Sequence, residues 1–274
     1  MSDPRQTSAD RQLELAKIER MGSYARGVIY RSKFGHVCPV CAGPKKMEYE
    51  LCIACAGEAR QASALGAGGV TLADIVRFGH YAYKGEQMYR VMQGYKSADD
   101  PAAGEYQKDV KYIAADALAV HYPCIAKLAG SMPTAWATIP STCSSRNYGK
   151  PHVLTNLVAP FMARMGIQQL QLQANEGKVH NRIDPQVFSL ATEPRRPQLA
   201  HVLLIEDSWT SGATVQSVAA MLRLRGAAHI TVYCMARIID LDWIASNFDS
   251  DVVKGFRHLR YKDQCPWLLC QHPV

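Results

Sequence analysis

Two adjacent acids, Glu206 and Asp207, stand directly before Ser208, Thr210, Ser211, Gly212, Ala213 and Thr214, with only Trp209 interrupting. Backbone N–H groups and hydroxyls of such a run can converge on a phosphate, and a helix that starts there adds its positive dipole end. Carboxylates beside an anion site repel the anion. They make sense when the ligand also carries a vicinal diol, whose hydroxyls donate to carboxylate oxygens. A diol at one end and a phosphate at the other describe a ribose 5-phosphate. The alternative is a plain buried strand, turn and helix, which rarely combines paired acids with a hydroxyl–glycine loop.

A second set of reactive residues lies in 36–56, HVCPVCAGPKKMEYELCIACA. Cys38 and Cys41 form one CxxC, Cys52 and Cys55 another, ten residues apart with Gly43-Pro44 turning the chain between them. One CxxC knuckle brings two thiolates to an ion, and two knuckles complete a tetrahedral four-sulfur site. Four thiolates leave no open position, so the expectation is structural Zn2+ rather than catalytic Zn2+. Unligated or redox thiols are the alternative. Zinc would stabilise a piece too small to hold itself together.

These residues need elements to position them. Val202 to Ile205 is a run of four apolar residues, enough for a strand buried on both faces. Val215, Val218, Ala219 and Leu222 fall at helical spacing, and Gly226 ends the run. Ala135 to Ile139 reads as a short strand, followed by hydroxyl donors Ser141, Thr142, Ser144 and Ser145 and the cations Arg146 and Lys150. Gln168 to Gln173 alternates as a strand does, and Ile230, Val232 and Cys234 mark another. Residues 174–200 are polar and turn-rich, with Lys178, His180 and Arg182, a length that is functional or disordered inside a compact domain. Met88, Val91, Met92 and Tyr95 share one helical face, and Val110, Ile113, Ala114, Ala117 and Leu118 another. His121, one turn on, reads as structural. Cys265 and Cys270 are spaced badly for a CxxC, so packing is the expectation for the tail with Trp267. Leu13, Leu15 and Ile18 suggest an N-terminal helix, either a surface helix or an oligomer contact. Alternating strands and helices predict an α/β fold with a parallel sheet, its ligand loops at the strands' carboxyl ends.

The stretch His201 to Thr214 resembles the signature of type I phosphoribosyltransferases: four apolar residues, two acids, then a small-residue loop. The resemblance implies that Glu206 and Asp207 bind the ribose hydroxyls of 5-phosphoribosyl 1-pyrophosphate (PRPP), and that Thr210, Ser211, Gly212, Ala213 and Thr214 cup its 5-phosphate. A four-cysteine module ahead of that signature resembles the ComF family, linked to DNA uptake in competent bacteria. Tyr83-Lys84-Gly85, Arg90 and Gly94-Tyr95-Lys96 resemble that family's Y-x-G…R…K-y segment.

The resemblance implies a parallel sheet of the type I phosphoribosyltransferase kind with a helical hood and a small N-terminal zinc-binding module. Its divisions would be an N-terminal helical arm at 1–35, the zinc knuckle at 36–60, a helical hood segment at 61–130, the core at 131–250 and a tail at 251–274 that can join the hood. Ser141, Thr142, Arg146 and Lys150 would hold the pyrophosphate, with a surface arginine the other reading of Arg146. The family's R-G-F-N-Q run is not present; Tyr148-Gly149-Lys150-Pro151-His152 stands near it. Asn181-Arg182, followed by Phe188, resembles the mobile loop that closes over the reaction centre. Ile238, Ile239 and Asp240 would border the acceptor pocket. Glu206, Asp207 and Arg146 would carry catalysis, with Mg2+ on the diphosphate and diol oxygens. The expected activity is transfer of a phosphoribosyl group to an unidentified acceptor. The alternative is a non-catalytic PRPP or nucleotide sensor, or a DNA-associated adaptor in competence or defence.

The whole-chain totals agree with this reading. A chain of 274 residues, 48% hydrophobic, can bury a sizeable core. It has no apolar run near 18 residues, so no membrane span is expected, and the polar start lacks a signal peptide's apolar centre. The expectation is a cytoplasmic protein whose nine cysteines are thiols or metal ligands rather than disulfides. A net charge of +7 suits anionic ligands and allows nucleic acid. Oligomer formation stays open.

Overall fold

The structure is a computed structural model, and it describes residues 4–30, 35–65, 68–143, 145, 148–149, 152–177, 181–262 and 264–269. The strands are β1 (Arg26–Gly27), β2 (Ile75–Tyr83), β3 (Ala135–Thr138), β4 (Gln168–Gln169), β5 (Leu172–Ala174), β6 (Phe188–Leu190), β7 (His201–Trp209) and β8 (His229–Ile239). Six of them form the central sheet in the order β1-β2-β8-β7-β3-β4, parallel throughout except at the β1–β2 edge. β5 and β6 make a separate antiparallel pair.

The helices are α1 (Pro4–Met21), α2 (Ile53–Ser63), α3 (Gln87–Gly94), α4 (Ala103–Ala115), α5 (Cys124–Ala129), α6 (Val153–Arg164), α7 (Ala213–Leu224), α8 (Leu241–Asn247) and α9 (Ser250–Arg257). A π-helical turn, Asp116–Val120, continues α4. No helix among the described residues is long and apolar enough to cross a membrane.

Side chains alternate across a strand, and β7 uses both faces. Val202 and Leu204 join one core with Ile230, Val232 and the α7 residues Val215, Val218 and Leu222. Leu203 and Ile205 join the other with Tyr233, Met235 and apolar residues of α3, α4 and α6. Helices therefore cover both sides of a parallel sheet, which is why the β7 run carries no polar residue between Val202 and Ile205. Leu204→Ala would open a cavity at the sheet's centre, at a cost of about 2–5 kcal/mol.

Two differences from the sequence expectation stand out. The 61–130 stretch, expected to be helical, contains β2, which lies in the central sheet between β1 and β8. Val76, Phe78, Tyr81 and Tyr83 are strand formers, and all are buried there. The strand expected at 168–173 is divided. Leu170 is buried and its N–H bonds the Trp136 carbonyl at 2.8 Å, which ends the sheet contact, and the chain then turns to pair β5 with β6.

Candidate functional site

A cavity of about 570 Å³ opens at the carboxyl ends of β3 and β7. These neighbours mark the switch in strand order: from β3 the chain adds β4 on one side, then β7 on the other. Open α/β sheets bind ligands at such a point, because the two following loops diverge and leave a crevice. One wall is Ile139 to Thr142 with Ser145; the opposite wall is Glu206 to Gly212 with Thr214 and Val215. Tyr95 to Asp99, after α3, and His152 and Val153, at the start of α6, close the sides.

Glu206 and Asp207 are almost fully buried, 8% and 6% exposed, yet both reach the cavity. The Asp207 carboxylate accepts hydrogen bonds from Lys96 Nζ (2.6 Å), Tyr95 Oη (2.8 Å) and Ser208 Oγ (2.7 Å). Burial opposes its charge, but the Lys96 ammonium and these bonds outweigh burial and hold the carboxyl below the usual carboxylate range. Glu206 is moved the other way. Burial, then the charge of Asp207, push it well above its ordinary value, although its Oε1 accepts the Asp207 N–H at 2.7 Å. The two acids are therefore pushed apart, Asp207 toward its charged form and Glu206 toward its neutral form. Burial disfavours the Lys96 charge too, but Asp207 more than offsets this and raises it.

The loop after β7 is shaped by a close contact. Gly212 has φ +104°, and a Cβ there would overlap Cζ2 and Cε2 of the Trp209 indole. Only glycine fits both conditions. The Trp209 ring is buried edge-on against Phe78, centroids 5.6 Å apart, and its Nε1 finds no hydrogen-bond partner among the described residues. Gly212 is the N-cap of the twelve-residue α7, and Thr214 and Val215 of its first turn line the cavity. The helix N-terminus thus opens onto the space that Glu206 and Asp207 border.

Arg237, near the end of β8, joins this loop to the cysteine module. Its Nη1 donates to the carbonyls of Trp209 (2.9 Å) and Thr210 (2.8 Å), and its Nε to that of Cys41 (2.8 Å). Nη2 lies 3.8 Å from Cys41 Sγ.

Cys38, Cys41, Cys52 and Cys55 are buried, with their sulfurs within 4.8 Å of one another. The Cys41 and Cys52 sulfurs are 3.6 Å apart. That is far beyond a disulfide bond of about 2.05 Å and close to the roughly 3.8 Å edge of a tetrahedron with 2.3 Å Zn–S bonds. Hydrogen bonds from its three neighbours pull Cys38 down, and the same crowding pushes Cys52 and Cys55 up. Four sulfurs this close cannot all ionise unless a cation sits among them. The cluster can hold a structural zinc.

The structure brings Ser141, Thr142, Thr210, Ser211, Gly212 and Thr214 onto the same cavity as Glu206 and Asp207. Ala213 is buried at the first position of α7, behind the lining. Arg182 is exposed and does not line the cavity. Arg146 and Lys150, with Ser144, Lys178, His180 and Cys270, lie outside the described residues. Ile238, Ile239 and Asp240 do not line the cavity either. The two isoleucines are core, and Asp240 caps α8 by accepting from the Trp243 N–H while pairing with Lys84 Nζ at 2.8 Å.

Sequence reasoning missed Lys96, Tyr95 and Asp99 as cavity residues, and Arg237 as the link to the cysteines. Gly94-Tyr95-Lys96 stands out in the sequence, but Lys96 meets Asp207 across 111 positions, and nothing local signals that pairing. No protein-family model matches the chain, and no curated protein matches it.

Proposed function

We propose that the cavity binds a ribose 5-phosphate group and that the protein is a ComF-like phosphoribosyltransferase acting on PRPP. The observation that carries this reading is the convergence on one cavity of Glu206, Asp207, Thr210 to Gly212 and the N-terminus of α7. A charged Asp207 accepts from one ribose hydroxyl, while a neutral Glu206 can donate to the other hydroxyl's oxygen. Loop N–H groups and the Thr210 and Ser211 hydroxyls cup the 5-phosphate. Ser141 and Thr142, across the cavity, face the leaving diphosphate.

In the reaction the C1–O bond to pyrophosphate breaks and a nitrogen nucleophile bonds C1, through an oxocarbenium-like state. The chain contributes positioning and charge: Asp207 favours the developing cation, and the hydroxyl wall stabilises the departing anion. The carboxylates offer Mg2+ no preset cage, since Asp207 is engaged by Lys96, Tyr95 and Ser208. Mg2+ would therefore be carried by diphosphate and diol oxygens. When bound, it supplies neutralisation of the diphosphate charge.

One contact favours a second reading, a PRPP or nucleotide sensor without turnover. Lys96 already pairs with the acid that would meet the sugar, at 2.6 Å, so a ligand that competes for this carboxylate would shift it. Such a displacement is a natural signal. The discriminating experiment incubates the protein with PRPP, Mg2+ and a panel of nitrogen acceptors and follows pyrophosphate. Release that is lost in Asp207→Asn supports the transferase. Tight PRPP binding with no release across the panel supports the sensor. Salt-dependent DNA affinity that survives Asp207→Asn, without PRPP binding, points to the DNA-associated adaptor.

A further inference from the structure

We propose that His121, Cys124 and Cys265 form a second metal site, distinct from the four-cysteine cluster, for a divalent ion of the zinc class. Their donor atoms lie within 4.8 Å of one another, and none of the three residues lines the cavity. His121 Nδ1 is 4.0 Å from Cys124 Sγ. A tetrahedral ion with 2.3 Å bonds to sulfur and about 2.0 Å bonds to nitrogen needs a sulfur–nitrogen edge of roughly 3.5 Å, so this edge closes with a movement of about half an ångström. Two sulfurs and an imidazole select zinc over magnesium or calcium.

Three features set this cluster apart from a chance meeting of thiols. First, the other imidazole nitrogen, Nε2, faces the Asp116 carboxylate at 3.6 Å, and Lys17 Nζ anchors that carboxylate at 2.7 Å. A carboxylate behind the ring fixes the orientation of a metal-binding histidine and raises its basicity. Second, His121-x-x-Cys124 is a tight turn: the Cys124 N–H bonds the His121 carbonyl at 2.9 Å, and both side chains reach the same point.

Third, the turn at Cys265 repeats the first knuckle of the four-cysteine module. Both begin Cys-Pro, at Cys38-Pro39 and Cys265-Pro266. In each, the N–H four residues on bonds the cysteine carbonyl at 2.9 Å, Ala42 to Cys38 and Leu269 to Cys265. Ala42 and Leu269 both take the left-handed conformation, φ +52° and +59°, which non-glycine residues rarely adopt. The Leu268 N–H also points at Cys265 Sγ (3.4 Å), as the Cys55 N–H does at Cys52 Sγ (3.5 Å). The sequence hides the likeness because Leu268 stands where a CxxC has its second cysteine.

The ion would pin the C-terminal turn to the helical layer. That turn carries Trp267, fully buried, whose Nε1 bonds the Ala117 carbonyl at 2.9 Å. Three protein donors leave the fourth position to water or an anion. Cys124 is half-buried, which gives the ion a way in.

The test counts metal. The full chain is reduced, loaded with Zn2+ and freed of excess, and zinc is measured per folded chain beside Cys124→Ser, the mildest change because of its partial exposure. We expect Cys124→Ser to lose one equivalent, and His121→Asn to lose the same one. Loading with Co2+ should give a native-minus-Cys124→Ser difference spectrum of a mixed sulfur–nitrogen tetrahedral site, and Cys41→Ser should leave that spectrum in place. Equal metal content in the native chain and Cys124→Ser, at unchanged circular dichroism, overturns the proposal. So does a Cys124–Cys265 disulfide whose reduction restores no metal binding.

Discussion

The loop after β7 and the four-cysteine module are neighbours held together by opposite means. The loop grows out of a strand buried on both faces, and its bend is fixed by Gly212 against Trp209. The module has one helix, α2, and a single isolated bridge between Val37 and Pro44, with its cysteines crowded around one point. The loop is preorganised by packing, whereas the module is organised around four sulfurs that can hold an ion. Arg237 bonds carbonyls of both, so the shape of the loop rests partly on the cysteine module.

The largest expected effect separates the two regions. Removing zinc, or Cys41→Ser, should lower the melting temperature by more than about 10 °C, because metal affinity is folding free energy in small modules. Hydrogen exchange should show lost protection at 36–60 and at 209–212, with 201–207 still protected. Uniform loss across β7 would dissolve the distinction between the regions.

Within the cavity the two acids should behave unequally. Asp207→Asn removes the charge that holds Lys96 and should weaken PRPP binding by about 100-fold, from the loss of charged hydrogen bonds of about 1.5–3 kcal/mol each. Glu206 is pushed toward its neutral form by burial and by Asp207, so Glu206→Gln should change binding by less than about threefold. Calorimetric titration of both variants reads this, and equal losses would mean that the charge is not localised on Asp207.

A smaller effect probes the link. A Cβ at Gly43 would overlap the Arg237 guanidinium. Gly43→Ala should cost about 1–3 kcal/mol of stability by chemical denaturation, and should also weaken phosphate binding at a loop it never touches.

The smallest effect is on pH dependence away from both regions. Burial, then Lys17, lowers His80 to about 4, and burial, then His229, lowers His201 to about 4. Both are held neutral in the fold, whereas the unfolded chain takes up their protons below about 6.5. Stability is therefore fully present above pH 6.5 and is lost as pH falls through 4. Denaturation midpoints measured from pH 7 to pH 4 should fall, and less steeply in His201→Gln.

The sequence reveals what local chemistry writes. The β7 apolar run, the α7 apolar stripe and the paired CxxC motifs each satisfy a short-range rule and are found where expected, although β7 runs on through both acids to Trp209. What it conceals is long-range. β2 is hidden because helical stripes at 88–95 and 110–118 dominate 61–130, and only the partner β8 makes IVRFGHYAY a sheet strand. Lys96 reads as a solvated lysine until folding sets it on Asp207, and Arg237 reads as one more strand residue until its carbonyl partners are in place. The Cys265 turn escaped because its second sulfur position holds leucine, while its partners His121 and Cys124 lie far away in sequence.

The central claim is that Asp207 and Glu206 grip a sugar's neighbouring hydroxyls while the β7–α7 loop holds its phosphate. The direct measurement titrates ribose 5-phosphate and 2-deoxyribose 5-phosphate into the native chain and into Asp207→Asn. The native chain should prefer the ribose form by about 10–100-fold, the worth of a charged hydrogen bond, and Asp207→Asn should lose the preference while still binding phosphate. Equal affinity of the native chain for the two sugars would contradict the account.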